Sequence, residues 1–276
     1  MSDTITLTMR AAPDGAIEVD DLTPNRLAAL SARDIASLPV FAGTRAARIG
    51  DFFDVRGERS PRVRISGQLT RVHGLGAGMT DGELVIDGAA GSRVGAMMSG
   101  GRIEASGDVG DDAGSAMRGG VLRIRGRAGD RLGAASPGAS KGMTGGEIVV
   151  DGAAGAGAGT RVRRGLIVVC GDVDRDAGRA TIAGTLVIFG RTGADPGRMS
   201  KRGTIIALGG VEPPATYWHA CTFQPPHVRL TLTYLQRQYG LAVDARMLDG
   251  RYRRYCGDAG TPGRGEILDY VRDQAR

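Results

Sequence analysis

The sequence predicts an all-β dominated fold: a parallel β-helix of about seven to eight coils of ~19 residues, with small α/β segments at both ends. Three observations predict it, namely the glycine content, a repeat of constant length and two apolar columns within that repeat. Glycine supplies 46 of 276 residues, about 17% against a usual ~7%. Hydrophobic residues make up 41% of the chain, enough for a buried core, which argues against wholesale disorder.

Strand-like segments that end in glycine recur along the middle of the chain. Successive marker glycines are 21, 19, 19, 26, 19, 19 and 19 residues apart, from Gly67 to Gly209. Residues four and two positions before each marker are apolar, and this spacing puts them on one face of a strand. A unit this short is typical of a parallel β-helix coil and too short for a βαβ repeat. We therefore expect one column inside, comprising Leu84, Ile103, Leu122, Ile148, Ile167, Leu186 and Ile205.

The column three residues before each marker changes character midway along the repeats. It is mixed in the early repeats and apolar in the late ones, where it reads Val149, Val168, Val187 and Ile206. Strands that are apolar on both faces imply that something packs over the outer face. Two covers remain open: the chain's own amphipathic stretch HVRLTLTYLQRQYGL, or a partner subunit.

The repeat divides the chain into three predicted parts. These are a strand and helix lead-in over residues 1–61, the glycine-rich β-helix over 62–211 and a C-terminal covering or docking segment over 212–276. In the lead-in, TITLTMR alternates like a strand, and LTPNRLAALSARDIASLPVF is typical of a short helix that stops around Pro39. At the other end, we expect YCGDAGTPGRGEILDYV to finish as an exposed helix.

Positive charge is concentrated in the central third of the chain. Residues 121–210 carry 14 Arg and Lys against 7 Asp and Glu, a net of +7, while the whole chain is +6. The long repeat between Gly126 and Gly152 extrudes a loop that presents Lys141. The candidate anion-binding residues are Lys141, Arg161, Arg163, Arg164, Arg179, Arg198, Lys201 and Arg202. Because equivalent positions stack, they predict a stripe that attracts a polyanion, with a merely solvated charged face as the alternative.

Signatures of catalysis and metal binding are missing from the sequence. The only histidines, His73, His219 and His227, form no HxH or HExxH motif, and no nucleotide-binding glycine motif occurs. His219 and Cys221 could host a metal or a nucleophile, but a packed or loop histidine is the simpler interpretation. We therefore predict no catalytic residue and no metal site in this chain. Aromatic residues are only 4% and none lies among the basic residues, which argues against a nucleic-acid partner.

The sequence also predicts a cytoplasmic protein without a membrane partner. No apolar stretch approaches the ~18–20 residues of a membrane span. The start MSDTITLTMR lacks the apolar core of a signal peptide. The three cysteines are far apart and form no CxxC pair, which fits a reducing compartment.

The glycine-rich coils resemble a known family. GAGMTDGELVIDGAAGSRVGAMMSGGRIEASGDVG is similar to the C subunit of formylmethanofuran dehydrogenase, to the C subunit of the bacterial formyltransferase/hydrolase complex and to the C-terminal domain of glutamate synthase. The segments IGDFFDVRG and GDAGTPGRGEIL favour the C subunits over glutamate synthase, so the resemblance covers nearly the whole chain. It implies a right-handed β-helix within a hetero-oligomer that handles formyl groups on a furfurylamine carrier with a long polyglutamate tail.

The resemblance also implies a role in one-carbon metabolism. The chain would be a non-catalytic subunit that scaffolds a metallo-hydrolase-like subunit and a formyltransferase, while the complex holds a methanofuran-like carrier (methylofuran). Two alternatives remain, a purely structural scaffold and the C subunit of a true molybdenum or tungsten formylmethanofuran dehydrogenase. Arg supplies 34 of the 36 cations, a bias typical of GC-rich bacterial genomes, which favours the hydrolase type.

Overall fold

A computed structural model describes residues 4–11, 14–20, 22–261 and 263–272 of the chain. Its largest element is a mixed, largely parallel sheet of 13 strands, and a second sheet has four. The strands are β1 (Ile5–Met9), β2 (Ile17–Glu18), β3 (Pro39–Ala42), β4 (Arg45–Arg48), β5 (Phe53–Arg56), β6 (Arg62–Ser66), β7 (Val72–His73), β8 (Glu83–Asp87), β9 (Arg102–Ala105), β10 (Val121–Ile124), β11 (Glu147–Val150), β12 (Leu166–Val169), β13 (Thr185–Ile188), β14 (Arg202–Ala207), β15 (Trp218–Phe223), β16 (Tyr252–Gly257) and β17 (Arg264–Tyr270). The helices are α1 (Pro24–Leu27), α2 (Ala32–Ser37), α3 (Ile49–Phe52), α4 (Pro226–Tyr239) and α5 (Ala245–Leu248).

The glycine-ended repeats form the centre of the large sheet in chain order. From β6 through β8–β13 to β14, each strand pairs in parallel with the equivalent strand of the neighbouring repeat. Equal positions therefore lie side by side, as Ile148 does beside Ile167. A second line of parallel bridges runs through the turns from Leu69 to Thr192. We call each strand of this series, with the turns that flank it, a rung.

The interior contains the column that the repeat predicts. Every member from Leu84 to Ile205 is at most 5% exposed, which confirms that assignment. Successive rungs approach each other so closely that some turn positions exclude a side chain. A Cβ atom at Gly107 would lie 2.5 Å from the carbonyl carbon of Gly88, so glycine is required there.

The outer face of the late rungs is covered by α4. The four apolar outer residues and three residues of α4 form one buried cluster. The outer residues are Val149, Val168, Val187 and Ile206, and the helix residues are Val228, Leu232 and Leu235. The spacing of the three helix residues places them on one face of α4. Gly240 ends the helix in the left-handed conformation, at φ 66°. The chain's own segment is therefore the cover, which settles the choice that the sequence left open.

The C-terminal segment is not an exposed helix, so that prediction is wrong. The segment forms β16 and β17, and β17 pairs in parallel with β14 and antiparallel with β16. Ile267 packs in the interior cluster while Leu268 packs in the cluster under α4. Both faces of β17 are thus buried, which stabilises a strand where the sequence pattern is typical of a short amphipathic helix. The three-part division of the chain stays a prediction.

The lead-in contains the predicted first strand, and the predicted helix is divided into two. The strand is β1, which joins β6 in parallel. The helical stretch is divided into α1 and α2 because Ser31 caps a new helix. Its hydroxyl accepts a hydrogen bond from the Asp34 N–H at 3.2 Å, and the Asp34 carboxylate accepts one from the Ser31 N–H at 3.2 Å.

Candidate anion-binding site

Four of the eight predicted cations line one cavity. The cavity has a volume of about 410 Å³ and is formed by Lys141, Arg163, Arg164, Ile182, Ala183 and Arg202. All four cationic side chains are exposed. Among the residues that the structure describes, no acidic side chain forms an ion pair with any of them. The cavity therefore presents positive charge that no neighbouring carboxylate of the described chain neutralises.

The register of the repeats places these cations. Arg164 and Arg202 occupy equivalent positions two rungs apart, and Ala183 is the equivalent residue of the rung between them. Since neighbouring strands lie about 4.8 Å apart, the two guanidinium groups rise from backbone positions about 10 Å apart. The small side chain of Ala183 leaves the space between them open.

Hydrogen bonds to the preceding rung fix the backbone of each basic turn. The Arg163 N–H donates to the Met143 carbonyl at 2.8 Å, and the Lys201 N–H donates to the Thr181 carbonyl at 2.8 Å. The cations therefore rise from an ordered backbone even though their side chains are in solvent. Such a scaffold reduces the conformational entropy lost on binding a ligand.

The extruded loop brings Lys141 to the cavity, and Arg161 supports that loop. Arg161 donates from Nη1 to the Ala139 carbonyl at 2.7 Å, and its own carbonyl accepts the Gly142 N–H at 2.8 Å. The guanidinium of Arg161 is thus engaged with the backbone and does not line the cavity.

The other three predicted cations also lie outside the cavity lining. Arg179, Arg198 and Lys201 are exposed, and Arg198 Nη1 lies 3.9 Å from Asp195 Oδ2. Lys201 directly precedes Arg202 in the chain, and Arg179 and Arg198 lie in the turns of the late rungs. The structure thus brings four of the eight predicted residues together and leaves four beside them.

Sequence reasoning missed one cation, Arg264. In the parallel pairing of β14 with β17, Arg264 lies directly opposite Arg202. Its N–H donates to the Lys201 carbonyl at 2.7 Å. A local signal existed: Arg264-Gly-Glu-Ile-Leu matches Arg202-Gly-Thr-Ile-Ile, so the last strand repeats the motif of the last rung.

A buried carboxylate holds the C-terminal segment against the last rung. Asp258 accepts the Met199 N–H at 2.7 Å and the Gly260 N–H at 2.9 Å. Burial acts to raise the pKa of Asp258, but these hydrogen bonds, a further one from Thr216 and the charge of Arg198 outweigh it, so its pKa lies below the usual range. Asp258 is therefore ionised and engaged with the chain's own backbone.

A larger groove along the turns is a poorer anion site. It has a volume of about 930 Å³, and its charged lining residues are Arg127, Arg191, Asp130, Asp172, Asp174 and Glu212. The lining has two cations and four carboxylates, so its net charge is negative and disfavours binding of a polyanion. The smaller cavity with four cations is the better candidate despite its size.

The alternative candidate site, around His219 and Cys221, is at the surface. His219 and Cys221 lie on the exposed strand β15, and His219 Nε2 is 3.2 Å from Thr222 Oγ1. In the described ranges, no group of three or more His, Cys, Asp or Glu side chains could hold a metal ion. Across the same residues, none of the helices has both the length and the apolar character needed to cross a bilayer.

Comparison with known proteins places the chain in a family. No protein-family model matches it. A chain of the formyltransferase/hydrolase complex from Methylorubrum extorquens, whose crystal structure was determined in complex with methylofuran, superposes on 95% of this chain and 98% of its own length, with a TM-score of 0.85 and 33% identity.

Curated relatives align over shorter stretches. The C subunit of the molybdenum-containing formylmethanofuran dehydrogenase 1 of Methanosarcina barkeri is 35% identical over 95 residues, 33% of this chain and 32% of the relative. The C subunit of the tungsten-containing formylmethanofuran dehydrogenase 2 of Methanococcus maripaludis is 31% identical over 80 residues, 28% of this chain and 29% of the relative. The matched part therefore spans about a third of the length of these curated relatives. Together with the structural match along nearly the whole chain, the alignments establish that the chain belongs to the family of C subunits of formylmethanofuran dehydrogenases and formyltransferase/hydrolase complexes.

Proposed function

We propose that this chain is a non-catalytic subunit of a formyl-transferring enzyme complex of the bacterial formyltransferase/hydrolase type, acting in one-carbon metabolism. One observation carries the proposal, the similarity of 95% of the chain to a chain of such a complex at 33% identity. In this account the rungs are seven to eight coils of a right-handed parallel β-helix, a rigid rod on which a metallo-hydrolase-like subunit and a formyltransferase assemble.

The cationic cavity would hold the anionic tail of the carrier. The related complex contains methylofuran, and a methanofuran-like carrier with a polyglutamate tail presents a row of carboxylates. Arg163, Arg164 and Arg202 can each bind a carboxylate through two N–H groups, a geometry that Lys lacks. Exposed pairs contribute only about 0–1 kcal/mol each, so tight retention requires several contacts and weakens with salt.

Anchoring the tail gives the subunit a role in turnover without a catalytic group of its own. A tethered carrier keeps its reactive end at high effective concentration near the active sites of the partner subunits. In the purely structural alternative, the cations around the 410 Å³ cavity are only a solvated charged face; their convergence on one cavity supports anion binding instead. The dehydrogenase alternative is favoured only by the shorter alignments with the archaeal subunits.

Purification of the chain from its own cells tests the proposal. A tagged full-length chain is expected to co-purify with a metallo-hydrolase-like subunit and a formyltransferase, and without a molybdenum or tungsten subunit. The isolated chain is expected to have no formyltransferase, hydrolase or dehydrogenase activity. Turnover by the single chain that disappears in His219→Ala would contradict the proposal, and a molybdenum or tungsten partner would favour the dehydrogenase type.

A further inference from the structure

Two arginines stand at directly opposite positions of neighbouring strands. Arg202 on β14 and Arg264 on β17 are parallel partners in the sheet although 62 residues separate them in the chain. Both side chains are exposed. Like charges at directly opposite positions destabilise a sheet, so this pair costs the fold free energy unless an anion lies between the two groups.

The described chain supplies no such anion. The nearest carboxylate along β17 is that of Glu266, and it is engaged elsewhere. Glu266 Oε2 accepts a hydrogen bond from Arg254 Nε at 2.7 Å, and Oε1 accepts one from the Thr204 hydroxyl at 2.8 Å. No ion pair with a described acidic residue involves Arg202 or Arg264. The uncompensated pair therefore fits an external anion.

Arg264 also lengthens the row of cations that begins at the cavity. Equivalent positions on consecutive strands are Arg164, Ala183, Arg202 and Arg264. At about 4.8 Å per strand, the row spans about 14 Å from Arg164 to Arg264. An extended peptide advances about 3.3–3.6 Å per residue, so about four residues are needed to reach from one end to the other.

We propose that Arg264 extends the anion site onto the C-terminal strand, so that the site binds polycarboxylates of about four or more carboxylate-bearing units more tightly than shorter ones. The inference rests on the proposed binding of an anionic tail. It adds that the bound tail runs across the strands and that the affinity depends on the length of the tail. A short polycarboxylate reaches only the cavity formed by Lys141, Arg163, Arg164 and Arg202. A longer one also neutralises Arg264.

Binding of oligoglutamate peptides of two, four and six residues to the full chain tests this inference. We compare the wild type with Arg264→Ser, Arg264→Lys and Arg45→Ser, where Arg45 is an exposed residue of β4 remote in the chain from the cavity. Affinity is expected to rise between two and six residues. Arg264→Ser is expected to weaken binding of the six-residue peptide about two- to fivefold and to leave the two-residue peptide unchanged. Arg264→Lys should restore part of the loss, and Arg45→Ser should match the wild type.

Thermal unfolding provides a second measurement that does not depend on the ligand. Arg264→Ser is expected to raise the Tm of the free chain, because it removes the repulsion with Arg202. Six-residue binding that is unchanged in Arg264→Ser, or weakened equally in Arg45→Ser, overturns the inference. The proposed function can still hold when the Arg264 inference fails. It holds if the wild type binds the long peptide and an Arg163→Ser/Arg164→Ser variant does not, because the tail then binds at the cavity. If the wild type binds no peptide of any length, tail binding by this chain fails as well.

Discussion

The ring of Tyr239 lies over the guanidinium of Arg123, with 5.6 Å between the guanidinium carbon and the ring centroid. The contact marks the place where α4 stops covering the sheet. Arg123 is 3% exposed, and its Nη2 bonds to Asp151, but Nε and Nη1 have no hydrogen-bond partner among the described residues. The hydroxyls of Tyr234 and Tyr239 both bond to Glu147 on the adjacent strand, which fixes this end of the helix.

Replacement of Arg123 by Met should be neutral or stabilising. The substitution removes two buried, unpaired donor groups, Nε and Nη1 of Arg123. Asp151 retains Arg125 as an ion-pair partner, with 3.4 Å between Arg125 Nη1 and Asp151 Oδ2. We expect the free energy of unfolding to stay constant or rise by up to about 2 kcal/mol. Denaturant unfolding measures it, with Arg125→Met as the exposed control, expected to lose at most about 1 kcal/mol. A loss above about 2 kcal/mol for Arg123→Met would mean that this guanidinium stabilises the fold.

The packing of α4 provides a matched pair of leucines on one helix. Leu232 is fully buried against the late rungs, whereas Leu230 is 71% exposed. Leu232→Ala is expected to reduce the free energy of unfolding by about 2–5 kcal/mol because it opens a cavity under the helix. Leu230→Ala should change it by less than about 0.5 kcal/mol. Equal effects of the two substitutions in denaturant unfolding would show that α4 is not held by this face.

Much of the centre of the fold is predictable because one short sequence pattern repeats there. The column from Leu84 to Ile205 is buried, and the rungs pair in the parallel register that equal spacing predicts. The apolar outer residues also predict a cover, although only the structure shows that Val228 and Leu232 belong to it. Local spacing cannot decide between a cover from the same chain and one from a partner.

The site is only partly predictable because the regular repeat ends at β14, whereas the site also includes Arg264 on β17. Between β14 and β17 the chain leaves the series to form β15, α4, α5 and β16, so no constant interval connects Arg264 with Arg202. The role of Arg161 depends on the conformation of the extruded loop, whose carbonyl at Ala139 it binds. Composition predicts a cationic surface but does not distinguish these supporting side chains from those that line the cavity.

Acid should loosen the C-terminal segment through Asp258. Its pKa is held below the usual range, so its hydrogen bonds to the Met199 and Gly260 N–H groups stabilise the fold fully above the unfolded-state pKa of about 4 and are lost as the pH falls through the lower folded-state pKa. Asp258→Asn is expected to lower stability at neutral pH by about 1–3 kcal/mol and to flatten the acid limb of the stability profile. Asp54→Asn, a change at an exposed carboxylate paired with Arg10, serves as the control. An unchanged acid limb in Asp258→Asn would contradict this role.

The most direct measurement of the central claim is the amount of carrier retained by the assembled complex when the basic turns are neutralised. The variant is Arg163→Ser, Arg164→Ser, Lys201→Ser and Arg202→Ser in one chain, purified with its partner subunits at low and at raised salt. Loss of several ion pairs of about 0–1 kcal/mol each should lower retention, and raised salt should lower it further. The account predicts an assembled complex that has lost most of its carrier at raised salt. Full carrier occupancy at raised salt would contradict it, because the tail would then be held on the partner subunits and these turns would be a solvated surface.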